Sequence, residues 1–473
     1  MSTKKKSTLV FLILIGLITA IMLFLRFYNL DQRIIFDWDQ ESYANQIKDV
    51  VVNHKVSLLG PRTTNATGFY LAPYFTYLML PFYLVTKLHP IGSIYFIIAY
   101  NLIFVTGAFL LLRKVFDLKV VAAFFAFWSI NFLMVEYDII PWWPVVLPLG
   151  VLATLFLLRK ATTEKKLLNW ILLGLCLGLF ANMHFQFVFV ILFTIFFLGY
   201  HFWSTKTNAL KPAITTIAAF IATLAPLLLF DLRHQFLNTK LFFGFFFGGG
   251  SGVVHKDPIA WIPVLTNFLQ PFLVIRNDIL TLAFYIALGV GSFLLFKKAK
   301  DFRKEYYFAS LCLWVAVPLF FAFYGQRPSE YYFVFLLPFV LITLSDGLIR
   351  NKLTPVLLLL FVISIYSSFN TAFNYTPIQS RLKTHPFGLY NKQKVVTYLK
   401  DHYDLKTYNV SFTVEPGREP GFRYLMYYEN IKTHDIGDPK NPLIQVKIPP
   451  TDEDIKVTDT IGLQIPPEFK NGK

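Results

Sequence analysis

The chain has 473 residues, of which 55% are hydrophobic, 18% aromatic and only 15% charged, with 52 Phe among them. Soluble domains carry about 25% charged residues, so a soluble globular enzyme is excluded and an all-α polytopic membrane protein is indicated. The net charge of +16 would suggest nucleic acid in a soluble protein; here the basic residues sit in short loops between apolar runs, and no nucleic-acid partner is implied.

The chain opens with Lys4-Lys5-Lys6 and an apolar run to about Leu25 that lacks a small-residue cleavage site, the pattern of a signal anchor. Hydropathy predicts eleven spans, at 8–27, 91–112, 120–136, 141–158, 167–184, 186–203, 212–230, 277–296, 306–324, 331–349 and 353–372. One side then gathers 19 Lys and Arg, which predicts that this side and the N-terminus are cytoplasmic and that the C-terminus is extracytoplasmic.

Residues 28–90 read as one long outer loop. It carries the acidic cluster Phe36-Asp37-Trp38-Asp39-Gln40-Glu41-Ser42-Tyr43. Like charges at that spacing repel, so a membrane-edge cluster of this kind is a candidate for proton, metal or sugar chemistry. Asp37 with Gln40 three residues on also fits a capping box, a purely local role. Asp39 and Glu41 have no such role, and Asp39 is the leading candidate for the chemistry. From Asp39 to Val52, Tyr43, Ile47, Val50 and Val51 share one face of a predicted interfacial helix. Phe69 to Val85 is apolar enough to span but holds Pro73, Pro81 and four tyrosines, which suits an interfacial or re-entrant helix. If it crossed, the 16 basic residues after the first three would all lie outside.

At the outer end of the third span stand Glu136 and Asp138, not separable by pattern, in a turn with Trp142 and Trp143 that could equally be a solvated aromatic belt. His184 occupies the next outer turn, as a structural hydrogen-bonding partner or a substrate ligand. Asp231-Leu232-Arg233-His234 opens a second outer loop, 231–276, where Arg233 could meet a phosphate unless Asp231 pairs with it. In the last outer turn, before Tyr331, Arg327 is the only basic residue of the short outer loops, against the charge bias, which suggests an anionic partner. Arg62 is a further basic candidate. Cys176 and Cys312 fall in apolar runs and read as inert thiols. Beyond residue 372 the composition turns polar. A helix-like segment, 392–402, and strand-like ones, 407–414 and 442–448, predict a small α+β domain over 373–473 after a transmembrane domain over 1–372.

Carboxylates, a histidine, arginines and aromatics on one membrane face suit a reaction between a membrane-embedded phosphate ester and a hydroxyl acceptor. A carboxylate takes the acceptor proton, an arginine stabilises the departing phosphate, and Trp or Tyr stacks on the sugar. No Walker, HExxH or GxSxG element is present.

The order of these features resembles the GT-C superfamily, in the glycosyltransferase family 39-like branch that includes protein O-mannosyltransferases and the lipid A aminoarabinose transferase. The resemblance rests on Asp39-Gln40 after one span, Leu58-Leu59-Gly60-Pro61, Tyr70-Leu71-Ala72-Pro73-Tyr74, Phe230-Asp231-Leu232-Arg233-His234 and Tyr331-Tyr332 to Leu337-Pro338. It covers about residues 1–350. It implies inverting transfer from a polyprenyl-phosphate sugar to a protein, lipid or glycan acceptor, with Asp39 as general base. Many relatives show Asp-Glu where this chain has Asp39-Gln40-Glu41, which leaves the second acid's role open. Metal use varies in such enzymes, so no cofactor is assigned and a divalent metal stays possible. A lipid-linked sugar flippase is the alternative from another class; transporters usually place polar features near the midplane in repeated halves, and neither is visible here.

Overall fold

The computed structural model describes residues 3–63, 68–247, 257–273, 275–323, 328–374, 388–403, 409–413, 420–431 and 443–465. Twenty α-helices run along these residues: α1 Thr3–Phe27, α2 Leu30–Arg33, α3 Trp38–Val51, α4 Tyr74–Val85, α5 Gly92–Leu112, α6 Leu118–Ile130, α7 Phe132–Ile139, α8 Leu147–Glu164, α9 Leu167–Met183, α10 Val188–Thr205, α11 Leu210–Ala222, α12 Ala225–Arg233, α13 Leu237–Phe247, α14 Ile262–Leu269, α15 Asp278–Lys298, α16 Asp301–Phe323, α17 Leu337–Arg350, α18 Thr354–Asn374, α19 Leu389–His402 and α20 Phe422–Tyr428. Short 3-10 turns, Trp143–Val146, Phe185–Phe187 and Glu330–Leu336, lead into α8, α10 and α17.

Among the described residues, six helical segments are long and apolar enough to cross a membrane, or eight when the bent pairs α6–α7 and α11–α12 each count as one. The protein is a multi-pass membrane protein. The expectation of eleven crossings exceeds that number. The other three expected segments are the shorter apolar helices Gly16–Phe27, Leu167–Met183 and Thr354–Ser367.

The bends have local causes. The Asn131 carboxamide accepts the Met134 N–H at 3.0 Å and starts α7 afresh, giving a 71° break after α6. Pro226 stands in the first turn of α12, where its missing N–H is no loss, after a 61° break from α11. Close packing of α9 on α11 depends on Gly174 and Gly178: a Cβ at either would collide with Thr216 or Thr223.

α3 buries Tyr43, Ala44 and Ile47, the face expected from the pattern, and Thr76 of α4 bonds Gln46 at 2.9 Å. α4 follows a loop closed by a bridge between Arg62 and Tyr70, and the Tyr74 hydroxyl reaches the Thr223 carbonyl. The C-terminal region forms α19, α20 and a four-stranded sheet of order β1-β2-β4-β3, with β1 Asn409–Thr413, β2 Leu443–Lys447, β3 Ile455–Lys456 and β4 Gly462–Gln464. β1 and β2 are parallel, joined across α20; the remaining pairings are antiparallel.

This domain sits on the α3 face. Leu389 N–H donates to the Ile34 carbonyl at 3.0 Å, and the Tyr424 hydroxyl to the Leu88 carbonyl at 2.7 Å. At the opposite end the basic loops close on acids: Arg350 on Asp346 at 2.6 Å and Asp117 at 3.4 Å, and Arg159 on Glu305 at 2.5 Å.

Candidate active site

The three acids of the first loop separate by environment. Asp37 is the N-cap of α3 and forms the capping box with Gln40, whose Oε1 accepts the Asp37 N–H at 3.0 Å. Its Oδ1 also receives Lys392 Nζ, from the C-terminal domain, at 2.6 Å. Glu41 Oε1 accepts the Tyr424 N–H at 2.8 Å, so it starts α20. Asp39, between them, is half-buried and makes neither a hydrogen bond nor an ion pair with the described residues. Burial, and secondarily the Asp37 charge, pushes its carboxyl up to about 6.

The Tyr43 and Tyr331 phenols lie within electrostatic reach of this carboxylate. The Tyr43 ring, one helical turn on, meets Trp143 at 5.9 Å and Phe75 at 5.3 Å. Trp142 meets Tyr331 at 4.4 Å, and Tyr331 meets His184 at 5.6 Å. The first loop and the turns at 140, 184 and 330 thus converge, and Gln40 Nε2 adds a bond to the Pro141 carbonyl at 3.3 Å. Tyr331 lies in the electrostatic field of both Asp39 and Glu330. The Tyr43 hydroxyl and the Trp142 indole N–H are buried with no hydrogen-bond partner among the described residues, a costly state for polar groups. Burial and the Asp39 charge push the Tyr43 phenol well above its ordinary range, so it stays a donor. His184 Nδ1 accepts the Gln186 N–H at 3.3 Å, which leaves its ring proton on Nε2.

The other sequence candidates fall in different places. Asp138 is buried against Arg26 at 2.7 Å and anchors the bent α6–α7 pair. Glu136 is half-buried on α7. Asp231 does not pair with Arg233; it accepts the Asn238 N–H at 2.7 Å and the Thr239 hydroxyl at 2.6 Å, and so caps α13. Arg233 is exposed. Arg62 donates to the Gly68 carbonyl at 2.7 Å and lies over the Tyr70 ring. Arg327 and the Gly248–Gly252 stretch lie outside the described residues. An apolar cavity of about 450 Å³ opens between α4, α5, α8 and α9, lined by Tyr74, Tyr77, Phe82, Phe96, Ile103 and Leu149. Phe96 leads back to the acid through Phe75 and Tyr43, with ring separations of 5.4 and 5.3 Å.

Sequence reasoning missed three participants. Glu330 accepts the Tyr137 hydroxyl at 3.0 Å, and its only signal was its place beside Arg327 and Tyr331. Arg26 stood in the last turn of the first span, where a charge at the hydrocarbon edge needs a partner. Lys392 falls in the apolar stripe of α19 with Leu389, Val395, Val396 and Leu399, a position where lysine is out of pattern. Among the described residues no three His, Cys, Asp or Glu come together as a metal site.

No protein-family model matches the chain, and no curated protein matches it. Among solved structures it is similar to the crystal structure of ArnT from Cupriavidus metallidurans bound to undecaprenyl phosphate, with a TM-score of 0.55 at 10% identity over 95% of this chain and 97% of that one. The crystal structure of ArnT from the same organism in the apo state aligns with a TM-score of 0.45 at 11% identity over 98% of each chain. At such identity the likeness extends to the fold alone. The chain has a polytopic fold like that of ArnT.

Proposed function

We propose that this protein is a membrane glycosyltransferase that moves a sugar from a polyprenyl-phosphate donor to an acceptor hydroxyl, with inversion and with Asp39 as the general base. One observation carries the reading: Asp39 is the acid of its cluster that no hydrogen bond or ion pair engages among the described residues, and it lies within electrostatic reach of the unpaired Tyr43 phenol and of Tyr331, in a fold similar to that of a protein bound to undecaprenyl phosphate.

In the reaction the acceptor oxygen attacks the anomeric carbon as the bond to the donor phosphate breaks. Asp39 takes the acceptor's proton. A carboxyl titrating near 6 is about ten-to-one ionised at pH 7 and a stronger base than an ordinary aspartate. Tyr43 and Trp142 offer hydrogen bonds to sugar hydroxyls, and the rings of Trp143 and Tyr331 offer apolar faces for stacking. Arg233, Arg327 and Arg62 are the candidates for the departing phosphate. The apolar cavity beneath α4 suits the prenyl chain. The reading places the α3 face and the C-terminal domain outside the cytoplasm, the N-terminus inside, and the active site in the cell envelope; a glycosylated protein is one acceptor class.

The test is transfer from a panel of undecaprenyl-phosphate-linked hexoses and aminopentoses by purified protein, with extracts of the host envelope as acceptor. Label moved by wild-type but not by Asp39→Asn protein supports the reading. A flippase would instead move the labelled lipid across vesicles and leave the sugar–phosphate bond intact.

A further inference from the structure

The ammonium of Lys392 is fully buried at the seam between the two parts of the chain. It donates to Asp37 Oδ1 at 2.6 Å, to the Phe36 carbonyl at 2.7 Å and to the Pro420 carbonyl at 2.5 Å. Around it the 420–424 segment closes on the first turn of α3. Gly421, at φ +98°, lies so close that a Cβ there would strike the Phe36 carbonyl and crowd the Lys392 side chain. Three residues on, the Tyr424 N–H donates to Glu41 Oε1. The C-terminal domain thereby occupies both acids that flank Asp39 and leaves the middle one facing the aromatic site. A buried ammonium needs such partners, because an unpaired one would be strongly destabilising.

We propose that Lys392 is a positioning residue for the active site: by neutralising Asp37 and fixing the start of α3, it lets Asp39 ionise where the acceptor must bind. The inference rests on the reading of Asp39 as base, and it gives the C-terminal domain a part in the chemistry. Asp39 faces Asp37 and the Tyr43 phenol on α3 and Tyr331 on the Glu330–Leu336 turn; α19 supplies the countercharge through Lys392. The Lys392 ammonium offsets the negative charge that Asp37 directs at Asp39.

The experiment reads the protonation of Asp39 directly. Dicyclohexylcarbodiimide adds to protonated carboxyls in low-polarity sites, and mass spectrometry of the full-length protein's peptides locates the adduct. Labelling of Asp39 is followed against pH in wild type, in Lys392→Gln, which keeps a donor for the two carbonyls, and in Lys392→Gln with Asp37→Asn. The expected result is a labelling midpoint about one pH unit higher in Lys392→Gln, with the acid limb of kcat/KM moving alongside it, and a return to the wild-type midpoint or below in the double variant. An unmoved midpoint in Lys392→Gln, with only a lower Tm, would make Lys392 a structural rivet and overturn the proposal. If the single variant cannot be purified, the double variant decides: a midpoint above wild type there contradicts it. The base reading fails separately. Full transfer by Asp39→Asn removes both readings, whereas loss of transfer in Asp39→Asn beside an unmoved Lys392→Gln midpoint removes only this one.

Discussion

Arg26, in the last turn of the first helix, and Asp138, on the second limb of the bent α6–α7 pair, form an ion pair of 2.7 Å with almost no exposure of either side chain. The same guanidinium donates to the Ser129 and Trp128 carbonyls at 3.0 and 3.1 Å, groups freed where α6 ends. One arginine therefore holds the break that lets the turn carrying Trp142 and Trp143 reach α3.

Removing one partner leaves the other charge buried and unpaired. Arg26→Met or Asp138→Asn is expected to lower stability by about 3–5 kcal/mol, and the pair of changes together by much less than their sum. Thermal unfolding of the detergent-solubilised proteins checks this. Additive losses would mean that the pair is not a unit.

Asp39 should trade stability for activity. Its carboxyl is raised in the folded state, from 3.8 to about 6, so the folded protein binds this proton more tightly than the unfolded chain. The sign follows: the contribution favours folding below pH 3.8 and is lost as pH rises through 6. Asp39→Asn is then expected to be inactive yet more stable than wild type by about 1–3 kcal/mol at pH 8, with the advantage shrinking towards pH 4. Unfolding midpoints across that range decide it. A variant less stable than wild type at pH 8 would count against a costly ionised Asp39.

The arginine candidates divide on donor use. Arg233→Ala and Arg327→Ala are each expected to weaken use of limiting polyprenyl-phosphate sugar about ten- to a hundredfold, the loss of a charge-assisted contact of roughly 1.5–3 kcal/mol. Full turnover at limiting donor in both would assign them no part in holding phosphate.

Orientation is open to labelling in intact cells. Cysteine at exposed position 54, on the α3 face, is expected to react with an impermeant maleimide, and cysteine at positions 114 or 300, at the basic end, only after lysis. Labelling at 114 or 300 in intact cells would invert the topology.

Much of this architecture was legible in one sequence, because hydrocarbon imposes long apolar runs and the basic loops mark one side. The buried face of α3 was legible from Tyr43 and Ile47 at helical spacing, and α19 and β2 fell where the pattern put them. Partnerships across the chain were not. Nothing local ties Arg26 to a carboxylate 112 positions away, or Lys392 to one 355 positions away. For that reason Asp138 read as a site residue, and Asp37 as a local cap or a catalytic acid, with neither Arg26 nor Lys392 in view. The spacing of charges announced a cluster in the first loop, but only the fold separates an engaged Asp37 and Glu41 from an unengaged Asp39.

Transfer by Asp39→Asn tests the central claim most directly. The substitution keeps the side chain's shape and removes the charge that accepts the acceptor's proton, a contribution of about 10²–10⁴-fold. Sugar transfer from undecaprenyl-phosphate donors would be measured beside donor binding and expression level, with wild type and Glu41→Gln in parallel. The account expects no detectable transfer by Asp39→Asn, donor binding retained, and activity persisting in Glu41→Gln at a level set by its stability. Near wild-type turnover by Asp39→Asn would contradict it.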